Sequence, residues 1–239
     1  VLPMNALPTG LYDRVLNWNA SWIAPVIRQA LAHLVMARPV VLNALNPHYG
    51  VALADAFNES ARIYYCFDEV RARDWNGRHG GRMEDRYVQQ ADAVVATSTA
   101  LHERLSAQHD NAHRVPNGVD FDLFHRAVSA KAAPRAAEDA PCVGYLGSLD
   151  ERLDYDLLEA LIAAYPDWPF RFVGRICVPE ARRLDRHPNV TLTGPQPPKT
   201  LPDALAAMDV GLIPFARTPF TRCIYPLKVN EYLAAGQIG

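Results

Sequence analysis

The hydrophobic period of this chain switches back and forth along its length. Short runs rich in β-formers, at 39–45 (PVVLNAL), 62–67 (RIYYCF), 92–98 (DAVVATS) and 112–118 (AHRVPNG), alternate with stretches of helical spacing at 48–58, 82–90 and 99–107. An Ala-rich segment with Pro134 and Pro141 follows. The alternation then resumes, with strand-like runs at 142–147, 170–174, 190–194 and 209–215 and helical patterns at 154–164, 178–186 and 201–208. Strands joined by helices must pair in parallel through right-handed crossovers, which restricts the chain to the α/β class. The predicted architecture is two doubly wound Rossmann-like domains facing a cleft. Their spans are 1–118 and 142–239, with an interdomain linker over 119–141. Each strand ends near Gly or Pro, and loops at the carboxyl ends of parallel strands are where ligands bind in such sheets.

Composition narrows the function. The net charge of −2 argues against a nucleic-acid binder built on phosphate contacts. Cys66, Cys142, Cys177 and Cys223 form no CxxC pair and read as free thiols in a reducing compartment. No run of 18 apolar residues exists to span a membrane, and no leader sequence is recognisable. The stretch 11–37 carries Trp18, Trp22, Val26 and Leu34 near a 3.6-residue period, with a break expected at Pro25. It reads as a core-packing helix. A membrane-surface helix is the alternative, weakened by having only Arg14 and Arg28 nearby. The first domain has few strands for its class, and the second stops at AAGQIG, where another strand would follow. A fragment of a longer protein, cut at both ends, is therefore expected.

The richest stretch is 221–236, TRCIYPLKVNEYLAAG. It reads as a loop entering a helix. Pro226 suits the first helical position, and Gly236 suits the C-terminal stop. Lys228, Glu231 and Tyr232 fall at i, i+3 and i+4, on one face. The start of such a helix presents free N–H groups and a favourable dipole to an anion. A lysine is unfavourable there without an anionic partner.

The order of motifs over 63–236 resembles the glycosyltransferase group 1 family (family 4, GT-B fold), of the exopolysaccharide and cell-wall type. VPNGVD (115–120) resembles the family's crossover into its second domain, and YLGSLD (145–150) its first strand and loop there. The run from Asn189 to Phe215 resembles its strand–loop–helix–strand, and PLKVNEYLAAG its nucleotide-sugar helix. The resemblance implies retaining transfer of a sugar from a nucleotide diphosphate sugar to a glycan or polyprenyl-linked acceptor. No metal and no further cofactor are implied. It also implies a cytoplasmic protein with peripheral contact at the inner face of the membrane. Glu231 takes the place of the ribose-binding carboxylate. Backbone N–H groups around Tyr225 to Leu227 would meet the diphosphate, and Lys228 would add charge. Gly147, Arg152, Arg175 and Gln196 complete the expected donor site, with the base against the loops at 174–176 and 194–196.

Several positions depart from the family's pattern. Cys223 stands where a second glutamate is common, eight residues before Glu231. Ser148 and Leu153 stand where an Arg and a Lys are common, and Phe67 precedes Asp68 where a His is usual. Arg152, Arg175 or Lys228 would have to supply the missing charge. In the first domain Asp68, with Glu69, is a candidate for acceptor binding or catalysis. His79 is either a solvated loop histidine or an acceptor contact. No paired carboxylates suggest hydrolysis. Two alternatives stay open: a nucleotide-sugar-binding module without turnover, and a sugar-nucleotide epimerase.

Overall fold

The structure is a computed structural model that describes residues 6–72, 78–130 and 140–236. The chain divides into two units, Val1–Pro116 with Arg222–Tyr225, and Asn117–Thr221 with Pro226–Gly239. Each has its own parallel sheet. The α/β class read from the alternating periods is what the chain adopts.

In the first unit the strands β1 (Val40–Ala44), β2 (Ala61–Cys66), β3 (Ala93–Ala96) and β4 (Ala112–Arg114) lie in sequence order. Helix α1 (Thr9–His33) precedes β1, and α2 (Pro47–Ala52), α3 (Gly80–Gln90) and α4 (Thr99–Ser106) run between successive strands. Tyr64, Val94, Val88, Leu101 and Leu105 form its core. The expected break at Pro25 does not occur, and α1 runs through it. Pro25 and Ser21, four residues back, are both exposed, so water can satisfy the carbonyl that the proline leaves free. Helix α2 stops sooner than its periodicity predicts. Asp55 and Asn58 have positive φ, and the Glu59 carboxylate accepts from the backbone N–H groups of Asp55 and Phe57.

The second unit opens with a correction. The presumed linker begins as helix α5 (Phe121–Ala130), because Phe124 and Ala127 fall on one face and are buried in that unit's core. The remainder of that span, 131–139, is outside the described residues. Strands β5 (Val143–Leu146), β6 (Phe170–Val173), β7 (Val190–Gly194) and β8 (Val210–Gly211) form a sheet of order β7-β6-β5-β8. Their connections carry α6 (Tyr155–Ala164), a 3-10 helix at Pro179–Arg186 and α7 (Leu201–Ala206), and α8 (Leu227–Ala234) follows β8. The strand order reverses between β5 and β8, and ligands bind at such a switch point, outside the carboxyl ends of the strands.

Strand β8 is shorter than its apolar run. It pairs with β5 only at Val143–Val210 and Gly144–Gly211, and the last backbone bond along it runs from the Leu212 N–H to the Gly144 carbonyl at 2.7 Å. Beyond that point the two strands part.

Candidate functional site

The parting of β5 and β8 is held by a side chain from α8. The buried Tyr232 hydroxyl accepts from the Leu146 N–H at 3.0 Å and donates to the Leu212 carbonyl at 3.2 Å. Each backbone group would otherwise lack its ladder partner. A Cβ on Gly211 would come within 2.6 Å of the Tyr232 ring, so the glycine lets the ring lie flat on the strand. Sequence reading placed Tyr232 on the right helix face but missed this role, since nothing local signals which strands a tyrosine will bridge.

Helix α8 begins differently from the sequence expectation. Pro226 is its N-cap, with φ −68° and ψ 124°, and Leu227 is the first helical residue and exposed. The free N–H groups of the first turn are those that a helix N-terminus offers to an anion. The Asn230 amide donates to the Asn117 carbonyl, which ties the helix to the start of the second unit.

One turn carries the two charges. The Lys228 ammonium lies 5.2 Å from the centre of the Tyr145 ring, a cation–π contact. Its stem crosses Gly147, where a Cβ would stand 2.4 Å from Lys228 Cε. Gly147 has φ 145°, and Gly174, at the end of β6, has φ 159°. A Cβ on Gly174 would sit 1.9 Å from the Gly147 carbonyl oxygen. These two glycines bring the loops after β5 and β6 into backbone contact. Beyond them the Leu149 N–H donates to the Arg175 carbonyl at 2.8 Å, and the Cys177 N–H to the Leu149 carbonyl at 2.9 Å.

Both charges of α8 are uncomfortable in the free protein. Burial, then repulsion from Arg152, holds Lys228 below the usual lysine range, with Glu231 and Asp150 acting the other way. Burial raises Glu231 above the usual carboxylate range, and Lys228 offsets part of the rise. Among the described residues Glu231 has no hydrogen bond to its carboxylate, and Lys228 has no ion pair. Both side chains are half-buried, which makes the charged form of each costly.

The expected donor residues separate into groups. Gly147, Arg152, Leu227, Lys228 and Glu231 belong to one unit, around the carboxyl ends of β5 and β8. Arg175 follows β6 with its guanidinium exposed, and Gln196 is exposed on the loop after β7. Leu153 is buried and bridges Phe215, so the position where a Lys is common supplies no charge. Tyr225 falls in the short segment that groups with the first unit.

Cys223 lies in that same segment. Its thiol donates to the Glu69 carboxylate at 3.6 Å and is pushed up to about 11 by burial and by Glu69. Glu69 also accepts from the Arg71 N–H and pairs with Arg104 at 3.3 Å. Arg104 makes two hydrogen bonds to the fully buried Glu84, which also accepts from the Tyr64 hydroxyl. This buried network has no linear signature. Asp68 is buried and accepts from the Glu69 N–H at 3.0 Å. His79 is not the solvated loop histidine expected. It is 2 % exposed, stacked on Tyr12 at 3.9 Å and hydrogen-bonded through Nε2 to the Leu7 carbonyl.

No family model matches the chain. Over 168 residues, 64% of this chain, it is 32% identical to the "Putative teichuronic acid biosynthesis glycosyltransferase TuaH" of Bacillus subtilis (strain 168). It spans 41% of that relative's length. Among solved structures it resembles the sucrose-phosphate synthase of Thermosynechococcus elongatus, with a TM-score of 0.70 at 21% identity. That match covers 99% of this chain and 62% of that one. It also resembles Anabaena Alr3699/HepE, determined in complex with UDP and glucose, with a TM-score of 0.62 at 17% identity. This second match covers 91% of the chain and 60% of that one. The chain thus has the fold of the GT-B glycosyltransferases and is related in sequence to a protein described as a glycosyltransferase.

Proposed function

We propose that this chain carries the donor site of a retaining, metal-independent glycosyltransferase that moves a sugar from a nucleotide diphosphate sugar to a glycan or polyprenyl-linked acceptor. The observation that carries the reading is Glu231, a half-buried carboxylate with burial-raised pKa and no described hydrogen-bond partner, one turn beyond the start of α8. A carboxylate so placed can accept from both hydroxyls of a ribose, two charge-assisted bonds that a neutral group cannot equal. The diphosphate would then lie against the first-turn N–H groups of α8 and the Lys228 ammonium. Binding it relieves the lysine's cost of burial without a counter-charge. Gly147 leaves the room for that approach.

The chemistry asked of such a site is modest. The leaving nucleoside diphosphate must have its charge stabilised as the glycosidic bond breaks, and Lys228 and the helix end would supply that without a metal ion. Positioning the acceptor hydroxyl does the rest. The sequence relation to a protein named for teichuronic acid biosynthesis favours a cell-surface polysaccharide as the acceptor.

Nucleotide-sugar binding without turnover is the second reading. Its support is Cys223, a neutral thiol turned to Glu69 where a donor-site carboxylate is common in the resembled family. A panel of labelled nucleotide sugars separates the two. With EDTA present and a glycan acceptor supplied, the transferase reading expects nucleotide diphosphate release and a product of unchanged anomeric configuration by NMR. Tight donor binding with no release or transfer selects the binding module.

A further inference from the structure

Asp150 acts on Lys228 only at a distance, but its carboxylate is heavily engaged with a nearer partner, Arg152. Asp150 is 9% exposed on the loop after β5. Its Oδ1 accepts from Arg152 Nε at 2.8 Å and from the Arg152 N–H at 3.1 Å. Its Oδ2 accepts from Nε at 3.1 Å and from Nη2 at 2.5 Å. A carboxylate grips its second neighbour this way only if the loop turns sharply between them. Two bonds hold that turn: the Leu153 N–H and the Tyr155 hydroxyl both donate to the Asp150 carbonyl, at 3.2 and 3.1 Å.

Arg152 is fixed on other sides as well. Its guanidinium carbon stands 5.6 Å from the centre of the Phe215 ring, and its carbonyl accepts from the Ala216 N–H at 2.8 Å. Nη1 keeps both its hydrogens unused by any described partner, and the Arg152 charge is close enough to Lys228 to depress it. Lys228, beside Gly147, thus has a second cation within electrostatic reach, and that second cation is locked in orientation.

We propose that Asp150 is a positioning residue that presets Arg152 as the second cation for the diphosphate of a nucleotide sugar, leaving the Nη1 edge for the ligand. The inference rests on the donor-site reading above. It carries an opposite sign from simple electrostatics. A carboxylate beside an anion should weaken binding, so its neutralisation should strengthen it. If its purpose is to hold Arg152, neutralising it should weaken binding.

Calorimetric titration of the intact chain with uridine, guanosine and adenosine diphosphates decides between these. For whichever nucleotide the unaltered chain prefers, Asp150→Asn should bind about tenfold more weakly. Arg152→Lys, which keeps the charge but loses the two-pronged grip, should lose a similar factor. In an Arg152→Ala background, adding Asp150→Asn should cost nothing more. Equal or tighter binding by Asp150→Asn overturns the inference, and so does full affinity in Arg152→Lys. An undiminished loss in the Arg152→Ala background also overturns it. Should Asp150→Asn fail to fold, the Arg152→Lys result decides alone. Absence of binding by the unaltered chain overturns the donor-site reading, and this inference with it.

Discussion

At the scale of single residues, the proposed donor site holds two groups, Lys228 and Glu231, whose charged forms burial makes costly. Glu231 is the clearest case. Burial raises its pKa, so the folded chain holds the proton more tightly than the unfolded chain does. The group therefore favours folding at pH values below the ordinary glutamate range. That contribution is lost as pH rises through the raised value, and above it the half-buried carboxylate carries a charge that burial disfavours. The side chain is partly exposed, so water and salt soften the effect. Glu231→Gln should consequently melt higher than the unaltered chain at pH 7, by about 1–3 °C. The gap should close as the pH is brought below the ordinary glutamate range. Thermal melts of the two proteins across pH measure this, and a lower melting temperature for Glu231→Gln at pH 7 contradicts it. The spacing of Lys228 and Glu231 on one helix face was legible in the sequence, and the resemblance to a known family supplied their expected roles. Asp150 was not legible in this way, because its importance lies in which donors its carboxylate meets. The 1.9 Å that a Cβ on Gly174 would leave to the Gly147 carbonyl was equally invisible. Gly after a strand is common, and only the packed loops show that two such glycines meet.

Among elements, α8 is the part on which the site depends most. It owes its position to the switch point, where Tyr232 closes the gap between Leu146 and Leu212. Tyr232→Phe keeps the ring against Gly211 but leaves a buried N–H without its acceptor and a carbonyl without this donor. The expected loss is about 1–3 kcal/mol of stability, read from urea unfolding. Nucleotide affinity should fall as well, since Lys228 and Glu231 move with the helix. Unchanged stability would show that the hydroxyl bridge is replaceable by water. Element types were readable from period and length, and the strands fell where the apolar β-rich runs predicted. Boundaries failed where tertiary contacts overrode the local pattern. The 209–215 run stays a strand only until Tyr232 and the Leu153–Phe215 bridge draw it away. Helix α5 appeared where Pro134, Pro141 and mixed charge suggested a linker. Its buried Phe124 and Ala127 are a helical pair that composition alone obscured.

For the whole molecule, the two units carry different kinds of polar group. The first unit's carboxylates are largely consumed internally: Glu69, Glu84 and Asp85 meet Arg71 and Arg104. Asp68 is buried there as well, so the acceptor-side candidates named from sequence have structural occupations. The second unit keeps Lys228 and Glu231 unspent on one turn of helix, at the point where its strand order reverses. That contrast is why the proposed nucleotide site is placed in the second unit. Its most direct test is calorimetric titration of the unaltered chain and of Glu231→Ala with uridine, guanosine and adenosine diphosphates. The account predicts binding of at least one of them by the unaltered chain and an affinity lower by about tenfold to a hundredfold in Glu231→Ala, the worth of charge-assisted bonds to the ribose. Equal affinity in the two proteins, or no binding by the unaltered chain, would contradict it.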